Sequence, residues 1–392
     1  MNVAFVTHAY PRWEGDVAGA FIERLVLALT GRGHGVQVVA PADGGRGGRE
    51  LRHRVPVTRV RYAPARWETL AYRGTMAEAA RSPLGFVAAG SLVARQAQVV
   101  ARLCRDQRID LVHAHWWVPG GVSAWLARHR YVVTLHGTDV ALLERSAPAR
   151  FVARRVLRGA AAVTAVSTYL AERVARATGL DARRIVIQPM PADTRAFTRA
   201  GAGGGGGGGG GGVVTVGRLT KQKRIDLILE ALARLRAEGR TPPLPLTVVG
   251  DGPERGPLER RARELGLESH ARFTGAVPPE RIPEVLGDAD VFAFPAVGEG
   301  FGLAAAEALM LGIPVVATTD GGGVTDLVPP TGAGRLVPPN DVAALACAID
   351  ELARDPESRR RAAAAGAELR RRIEPAAVAE RFEVVYRQAL DA

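Results

Sequence analysis

The chain has 392 residues, 47% of them apolar, and 52 basic against 40 acidic side chains give a formal net charge of +12. This length exceeds one ordinary core and predicts two domains. The lack of any unbroken apolar run of about 18 residues argues against a membrane-spanning helix, and the first residues read as a strand rather than a signal segment, so a cytoplasmic protein is expected. The charge is lopsided: the first 199 residues carry 29 arginines against 14 acidic residues, and only two basic residues in the whole chain are lysines. Such a half could meet nucleic acid, an acidic substrate or an anionic membrane. No nucleic-acid module is present, which leaves arginine-rich composition or a peripheral contact with the inner face of the membrane. Cys104 and Cys347 lie far apart and build neither a disulfide framework nor a metal knuckle.

Asn2 to Thr7 reads as a strand, the stretch holding Pro11, Trp13, Gly15, Asp16 and Gly19 as a loop, and Ala20 to Thr30 as a helix with Phe21, Leu25 and Leu29 on one face. A strand from Val36 to Ala40 completes a strand-helix-strand unit of a parallel sheet. Asp43 to Arg49 reads as a mobile loop, and residues 62 to 90 show no clear period. The strand at Arg108 to His113 runs into His113-Ala114-His115-Trp116-Trp117. Its two histidines share one strand face, but no third ligand is near and no metal is expected. His115, Trp116 and Trp117 read as lining for an acceptor. Tyr131 to Leu135 is another buried strand, with His136-Gly137-Thr138-Asp139 at the carboxyl end where open α/β sheets bind ligands; Asp139 reads as a helix N-cap. Strands at Ala161 to Ser167 and Ile185 to Gln188 close the first domain.

The unbroken glycines from Gly203 to Gly212 cannot form a core element. They read as a linker and not as a phosphate loop, because the strand follows them instead of preceding them. Val213 to Val216 then opens a second domain and leads into Gly217-Arg218-Leu219-Thr220-Lys221-Gln222-Lys223, which holds both lysines of the chain. Where arginine serves everywhere else, a compact point charge is wanted. A strand at Leu246 to Val249 ends in Gly250-Asp251-Gly252-Pro253. Asp288 and Asp290 have metal-pair spacing but read as a strand cap. Val291 to Phe294 feeds Glu299-Gly300-Phe301-Gly302-Leu303 and a helix carrying Glu307. A strand, a glycine turn and a helix N-terminus make an anion site, and carboxylates beside it accept hydrogen bonds from hydroxyls. A ligand that is both phosphorylated and hydroxyl-rich fits; the alternative is that Glu307 complements the helix dipole and Glu299 is a solvated loop charge. Val342 to Leu352, Glu357 to Arg371 and Ala376 to Ala392 read as helices.

Glu299-Gly300-Phe301-Gly302 with Glu307, the following Gly312-Ile313-Pro314-Val315-Val316-Ala317, and Arg218 with Lys223 resemble the signature of the family 4 retaining glycosyltransferases. The resemblance implies an α/β fold of the GT-B type: two Rossmann-like domains facing each other across a donor/acceptor cleft. It places residues 1–195 in an acceptor-side domain, 196–212 in the linker, 213–375 in a donor domain, and 376–392 in a helix crossing back to the first domain. It implies metal-independent transfer, without a cofactor, from a nucleotide diphosphate sugar to a glycan, lipid-linked or small-molecule hydroxyl acceptor. A UDP-sugar is the first expectation and GDP-mannose the next. By the same resemblance Arg218, Lys223 and the backbone of Gly300, Phe301, Gly302 and Leu303 hold the diphosphate. Glu299 grips sugar hydroxyls, Glu307 the ribose, and His136 orients the sugar. Gly15 approaches the diphosphate unless it is a plain turn glycine, Asp251 lies near the nucleotide, and the backbone around Val277 meets the base. Arg224 departs from the glycine common after that lysine. A sugar-nucleotide epimerase of the same fold and a non-catalytic nucleotide-sugar-binding relative are the alternatives.

Overall fold

The computed structural model describes residues 1–72, 76, 82–197, 211–240, 244–287, 289–328 and 332–391; most of the glycine run, and Asp288, lie outside them. The chain divides into two compact units, Met1–Ala192 with Ile373–Ala392, and Asp193–Arg372.

The first unit is built on eight strands: β1 (Asn2–Val6), β2 (Gly35–Pro41), β3 (Gly48–Arg52), β4 (Val55–Val60), β5 (Leu111–His115), β6 (Tyr131–Leu135), β7 (Ala162–Ala165) and β8 (Ile185–Ile187). Their order is β3-β4-β2-β1-β5-β6-β7-β8, parallel except for the β3/β4 hairpin. β5 and β6 are buried at every position, as strands covered on both faces must be; β6 reads as a mostly apolar run, while β5 carries His113 and His115 into the interior. β3 is the opposite case. Its residues Gly48-Arg49-Glu50-Leu51-Arg52 are largely exposed, which is why that stretch resembles a loop in sequence; charged side chains on an edge strand discourage pairing with another chain.

The segment between residues 62 and 90 conceals the start of a 24-residue helix, Pro83–Asp106, capped by Ser82 Oγ accepting from Gly85 N at 3.1 Å. Its buried face holds Leu92, Gln96, Ala97, Val100 and Leu103, and Gln96 Nε2 donates to Thr7 O at 2.9 Å. By length and composition alone this helix could cross a membrane. A search for an unbroken apolar run passes over it because Ser91, Arg95, Gln96 and Gln98 interrupt the sequence.

The C-terminal helix Pro375–Asp391 belongs to this first unit. It buries Val378, Ala379, Phe382, Val385, Tyr386 and Ala389, packing on the helix Ala20–Gly31 and on β6 and β7. Its Glu383 pairs with His34 at 2.9 Å and with Arg32.

The second unit carries a six-stranded, wholly parallel sheet of β9 (Val213–Val216), β10 (Leu246–Val249), β11 (Ala271–Gly275), β12 (Val291–Phe294), β13 (Val315–Thr318) and β14 (Gly334–Val337). The order is β11-β10-β9-β12-β13-β14. Helices Ile225–Ala237 and Val342–Arg354 pack together over one face, with Ile228, Leu229, Leu232, Leu345 and Ile349 in a common core. In each sheet the strand order reverses once near its middle, between β1 and β5 in the first unit and between β9 and β12 in the second. Connections leave in opposite directions there, and a crevice opens beyond the carboxyl ends of the two strands.

Phe382 is fully buried, so Phe382→Ala should destabilise the protein by about 3–5 kcal/mol. Denaturant unfolding measures it; a loss below about 1 kcal/mol would mean that the C-terminal helix is not part of the core of its unit.

Candidate active site

At the β9/β12 reversal three turns pack on one another. After β9 the chain passes Arg218 and enters a single 3-10 turn, Lys221–Lys223, which closes with Arg224 in the left-handed region at φ 47°. A β-carbon is strained in that region, which is the physical reason glycine suits this position. Here the arginine is held by its own side chain: the Arg224 guanidinium grips Asp320 at 2.7 and 3.2 Å, and the Asp320 carbonyl accepts from Gly298 N at 2.9 Å. The departure from glycine therefore ties the lysine turn to the turn after β13, and through it to the glutamate turn after β12.

Gln222 makes the direct link. Its carbonyl accepts from Val297 N at 3.0 Å, and its Nε2 donates to Val297 O at 2.9 Å. Lys223 Nζ then lies 2.8 Å from Glu299 Oε1 and 5.1 Å from the centroid of Phe294, so the ammonium is held between a carboxylate and an aromatic face. Gly322 and Gly323 let the turn after β13 pack backbone against backbone on Glu299 and Gly300; a β-carbon at either would strike a carbonyl oxygen. Gly302, at φ 86°, turns the chain into the helix Leu303–Met310, on which Glu307 is half-buried.

Arg218 is exposed and makes no ion pair among the described residues. Asp251 is also exposed, and its Oδ1 accepts from Gly252 N at 2.7 Å. Its turn packs on the first one, with Leu219 N donating to Asp251 O at 2.9 Å. Val277 is half-buried just past β11. Asp290 is structural: it accepts from Gly212 N at 2.6 Å and pairs with Arg359 at 2.7 Å. Arg218, Lys223, Glu299, Gly300–Leu303 and Asp251 thus all lie on the turns beyond the strand ends.

In the first unit the β1/β5 reversal gathers histidines. His115 at the end of β5 and His136 after β6 meet through Nδ1 and Nε2 at 3.0 Å. Trp116, turned to φ 62°, sets its ring centroid 4.0 Å from that of His8 and 4.4 Å from that of His136. Below them His113 is hydrogen-bonded through both nitrogens, to Tyr386 Oη and to Thr134 Oγ1, each at 2.7 Å. Burial holds His113 down to about 3 and His8 down to about 4. It holds His115 and His136 well below the ordinary histidine range, aided by the neighbouring imidazoles. The cluster is therefore neutral at pH 7.

Three expectations change here. His115, Trp116 and Trp117 are buried within the unit, where a lining for an acceptor was expected; the end of β5 and the helical turn Trp116–Gly121 after it carry them into the packing. Asp139 is not a helix N-cap. Its carboxylate reaches back to accept from His136 N at 3.2 Å, Gly137 N at 2.9 Å and Trp117 N at 3.2 Å, stapling the ends of β5 and β6, while burial pushes its carboxyl up against those donors. Gly15 is exposed with open space around it, whereas Gly19 heads the helix Ala20–Gly31 and a β-carbon there would strike the Ala9 carbonyl. His8, Gln222 and Asp320 carry no role readable from the sequence, and Gly19 reads there only as part of a loop. The helix-start position of Gly19 was the one signal available.

Residues 18–191 match the family description of a glycosyl transferase 4-like domain, and residues 210–369 that of glycosyl transferases group 1. The chain is 36% identical over 287 residues to the GDP-mannose-dependent alpha-(1-6)-phosphatidylinositol monomannoside mannosyltransferase of Mycolicibacterium smegmatis, covering 68% of this chain and 72% of that one. It is 32% identical to the 2-deoxystreptamine N-acetyl-D-glucosaminyltransferase of Streptomyces fradiae, over 68% of each chain. Sucrose-phosphate synthase from Thermosynechococcus elongatus superposes with a TM-score of 0.75 at 21% identity, covering 100% of this chain and 99% of its own. The Anabaena protein HepE, solved with UDP and glucose, superposes with a TM-score of 0.72 at 23% identity, covering 98% and 99%. At these identities the two structures show a shared fold.

His113 has a folded-state pKa below its ordinary value, so on acidification the unfolded chain takes up a proton that the folded chain refuses. Stability should fall as pH drops below about 6.5, by about 2 kcal/mol for this one group between pH 7 and 5. Thermal unfolding at several pH values measures the slope. His113→Asn should lower the loss by about 2 kcal/mol, leaving the share of His8, His115 and His136; an unchanged slope would show that His113 contributes nothing to it.

Proposed function

This chain belongs to the group 1, family 4-type glycosyltransferases, and from that membership we propose that it transfers a sugar from a nucleoside diphosphate sugar to a hydroxyl acceptor with retention of anomeric configuration. The observation that carries the proposal is the Lys223–Glu299 pair, 2.8 Å apart, set with the exposed Arg218 at the β9/β12 reversal. Without ligand the ammonium and carboxylate neutralise one another. A donor diphosphate brings negative charge to Lys223 and Arg218 and frees Glu299 to accept hydrogen bonds from sugar hydroxyls. Glu307 takes the ribose, Asp251 lies by the nucleotide, the backbone around Val277 meets the base, and His136 orients the sugar. The turn Gly300–Gly302 with Leu303 at the helix start, and the loop holding Gly15, lend backbone N–H groups to the diphosphate.

In the reaction the bond from the anomeric carbon to the diphosphate oxygen breaks as the acceptor oxygen bonds that carbon on the same face. The acceptor proton passes to the departing phosphate oxygen. Charge grows most on the leaving diphosphate, and fixed cations aimed there act where stabilisation is worth most. No metal enters this scheme. The Mycolicibacterium relative, by its name, favours GDP-mannose as donor, ahead of the uridine diphosphate sugars expected from the sequence. An epimerase of the same fold would turn over donor without acceptor; the relatives named above are transferases.

Transfer assays test the roles. Glu299→Gln and Lys223→Ala should each lower the rate about 10²-fold or more, and wild-type rates in either would remove that residue from the mechanism. Thermal shift across guanosine and uridine diphosphates and their sugars, with and without magnesium, tests the donor. A ligand at a hundred times its Kd adds about 2.7 kcal/mol. A shift confined to guanosine compounds supports GDP-mannose, and no shift with any compound overturns the donor reading.

A peripheral membrane contact is the second part of the proposal. The helix Pro83–Asp106 exposes Leu84, Phe86 and Val87 at 71, 73 and 67%, with Arg95, Arg102 and Arg105 exposed further along. In the arginine-rich unit, an apolar wedge backed by cations fits an anionic bilayer surface. The protein should sediment with phosphatidylglycerol vesicles, less so in high salt or as Phe86→Ser. Equal binding to phosphatidylcholine vesicles, or none to either, would sink this contact.

A further inference from the structure

His136 has two ring nitrogens, and only one of them is open. Nε2 meets Nδ1 of His115 at 3.0 Å, while Nδ1 has no hydrogen-bond partner among the described residues and the residue is half-buried. His115 itself is fully buried, and its Nε2 has no partner. Phe5 stacks on the His115 ring at 5.4 Å and the His113 ring lies at 4.3 Å, so the orphan nitrogen has no route to turn and find one.

A hydrogen bond between two neutral imidazoles holds one proton, and its direction follows from the orphan. If His136 donated through Nε2, His115 would carry its own proton on the buried Nε2, leaving an N–H without an acceptor. If His115 donates through Nδ1, its buried Nε2 holds only a lone pair. Orphaned buried N–H groups are the rarer case, and the second arrangement is favoured. His136 then accepts at Nε2 and must keep its proton on Nδ1.

We propose that His115 is a positioning residue that fixes the ring and tautomer of His136, so that His136 meets its ligand through an Nδ1–H donor. This rests on the proposed donor reading for the identity of the ligand, though not for the geometry. An uncharged N–H donor suits the oxygen of a sugar hydroxyl, whereas an imidazolium would draw a phosphate. The burial that keeps the neighbouring imidazoles neutral fits the first use. His115 thus serves the site from inside the sheet without touching substrate.

Ring nitrogen-15 spectra of the ligand-free protein test this directly, with the His136 signals among those of eight histidines assigned by difference against His136→Gln. The wild type should show the Nδ1–H form of His136. His115→Leu should shift it to the Nε2–H form that free imidazole prefers and lower kcat about 10²-fold, with the donor KM little changed. His115→Asn, whose amide reaches the place of Nδ1, should restore both the Nδ1–H form and most of the rate. An Nε2–H wild type, or a tautomer unmoved by His115→Leu, overturns the proposal; the wild-type spectrum decides even where a variant does not fold. An Nδ1–H spectrum in a protein that binds no nucleotide would support the positioning and overturn the donor reading alone.

Discussion

The reversal of strand order is the constraint on which the rest depends. A parallel sheet needs every connection to return over a face, and right-handed crossovers fix which face each helix takes. Where the order turns around, as between β9 and β12, two successive connections depart to opposite sides and leave a crevice at the strand ends between them. Residues on those ends are held by a rigid sheet yet lie on turns free to carry polar groups. Lys223 and Glu299 are distant in sequence and meet in this one place because of topology, as His8, His115 and His136 do in the first unit.

The two reversals are furnished differently. In the second unit the turns bring cations and carboxylates together, and without ligand these satisfy one another, Lys223 with Glu299 and Arg224 with Asp320. Glycines make that possible by letting three turns approach backbone to backbone, so that the ion pairs are positioned by main-chain hydrogen bonds and not by flexible side chains alone. In the first unit burial keeps the histidines neutral, and polarity is handled by directed hydrogen bonds: His113 between Tyr386 and Thr134, Thr134 on to Thr164 at 2.7 Å. One unit thus gathers paired charges at its strand ends, and the other orders uncharged groups.

The last helix is a structural participant in this. Its Tyr386 closes one side of His113, so a residue near the end of the chain stands two hydrogen-bonded neighbours away from Thr164 in the sheet. The helix Pro375–Asp391 therefore completes the core under the histidines rather than decorating the surface of its unit.

Where a signal is local, the sequence was enough. Apolar runs followed by glycine turns marked β9, β10 and β12 and the turns at their carboxyl ends, and both lysines of the chain marked the turn that packs against Glu299. The strand β3 escaped because an exposed edge strand carries no apolar alternation, and the helix Pro83–Asp106 because polar residues on its buried face, Gln96 above all, break the expected stripe. By itself the sequence determined the parallel α/β class, the family, and the polar turns beyond the strand ends, because period, glycine placement and charge are all local properties. Only the tertiary structure decided that Arg224 takes over a glycine's place by gripping Asp320, that Asp139 staples two strands and does not cap a helix, and that His115 faces inward to His136. Each depends on which residue arrives opposite from a remote strand, which no local pattern records.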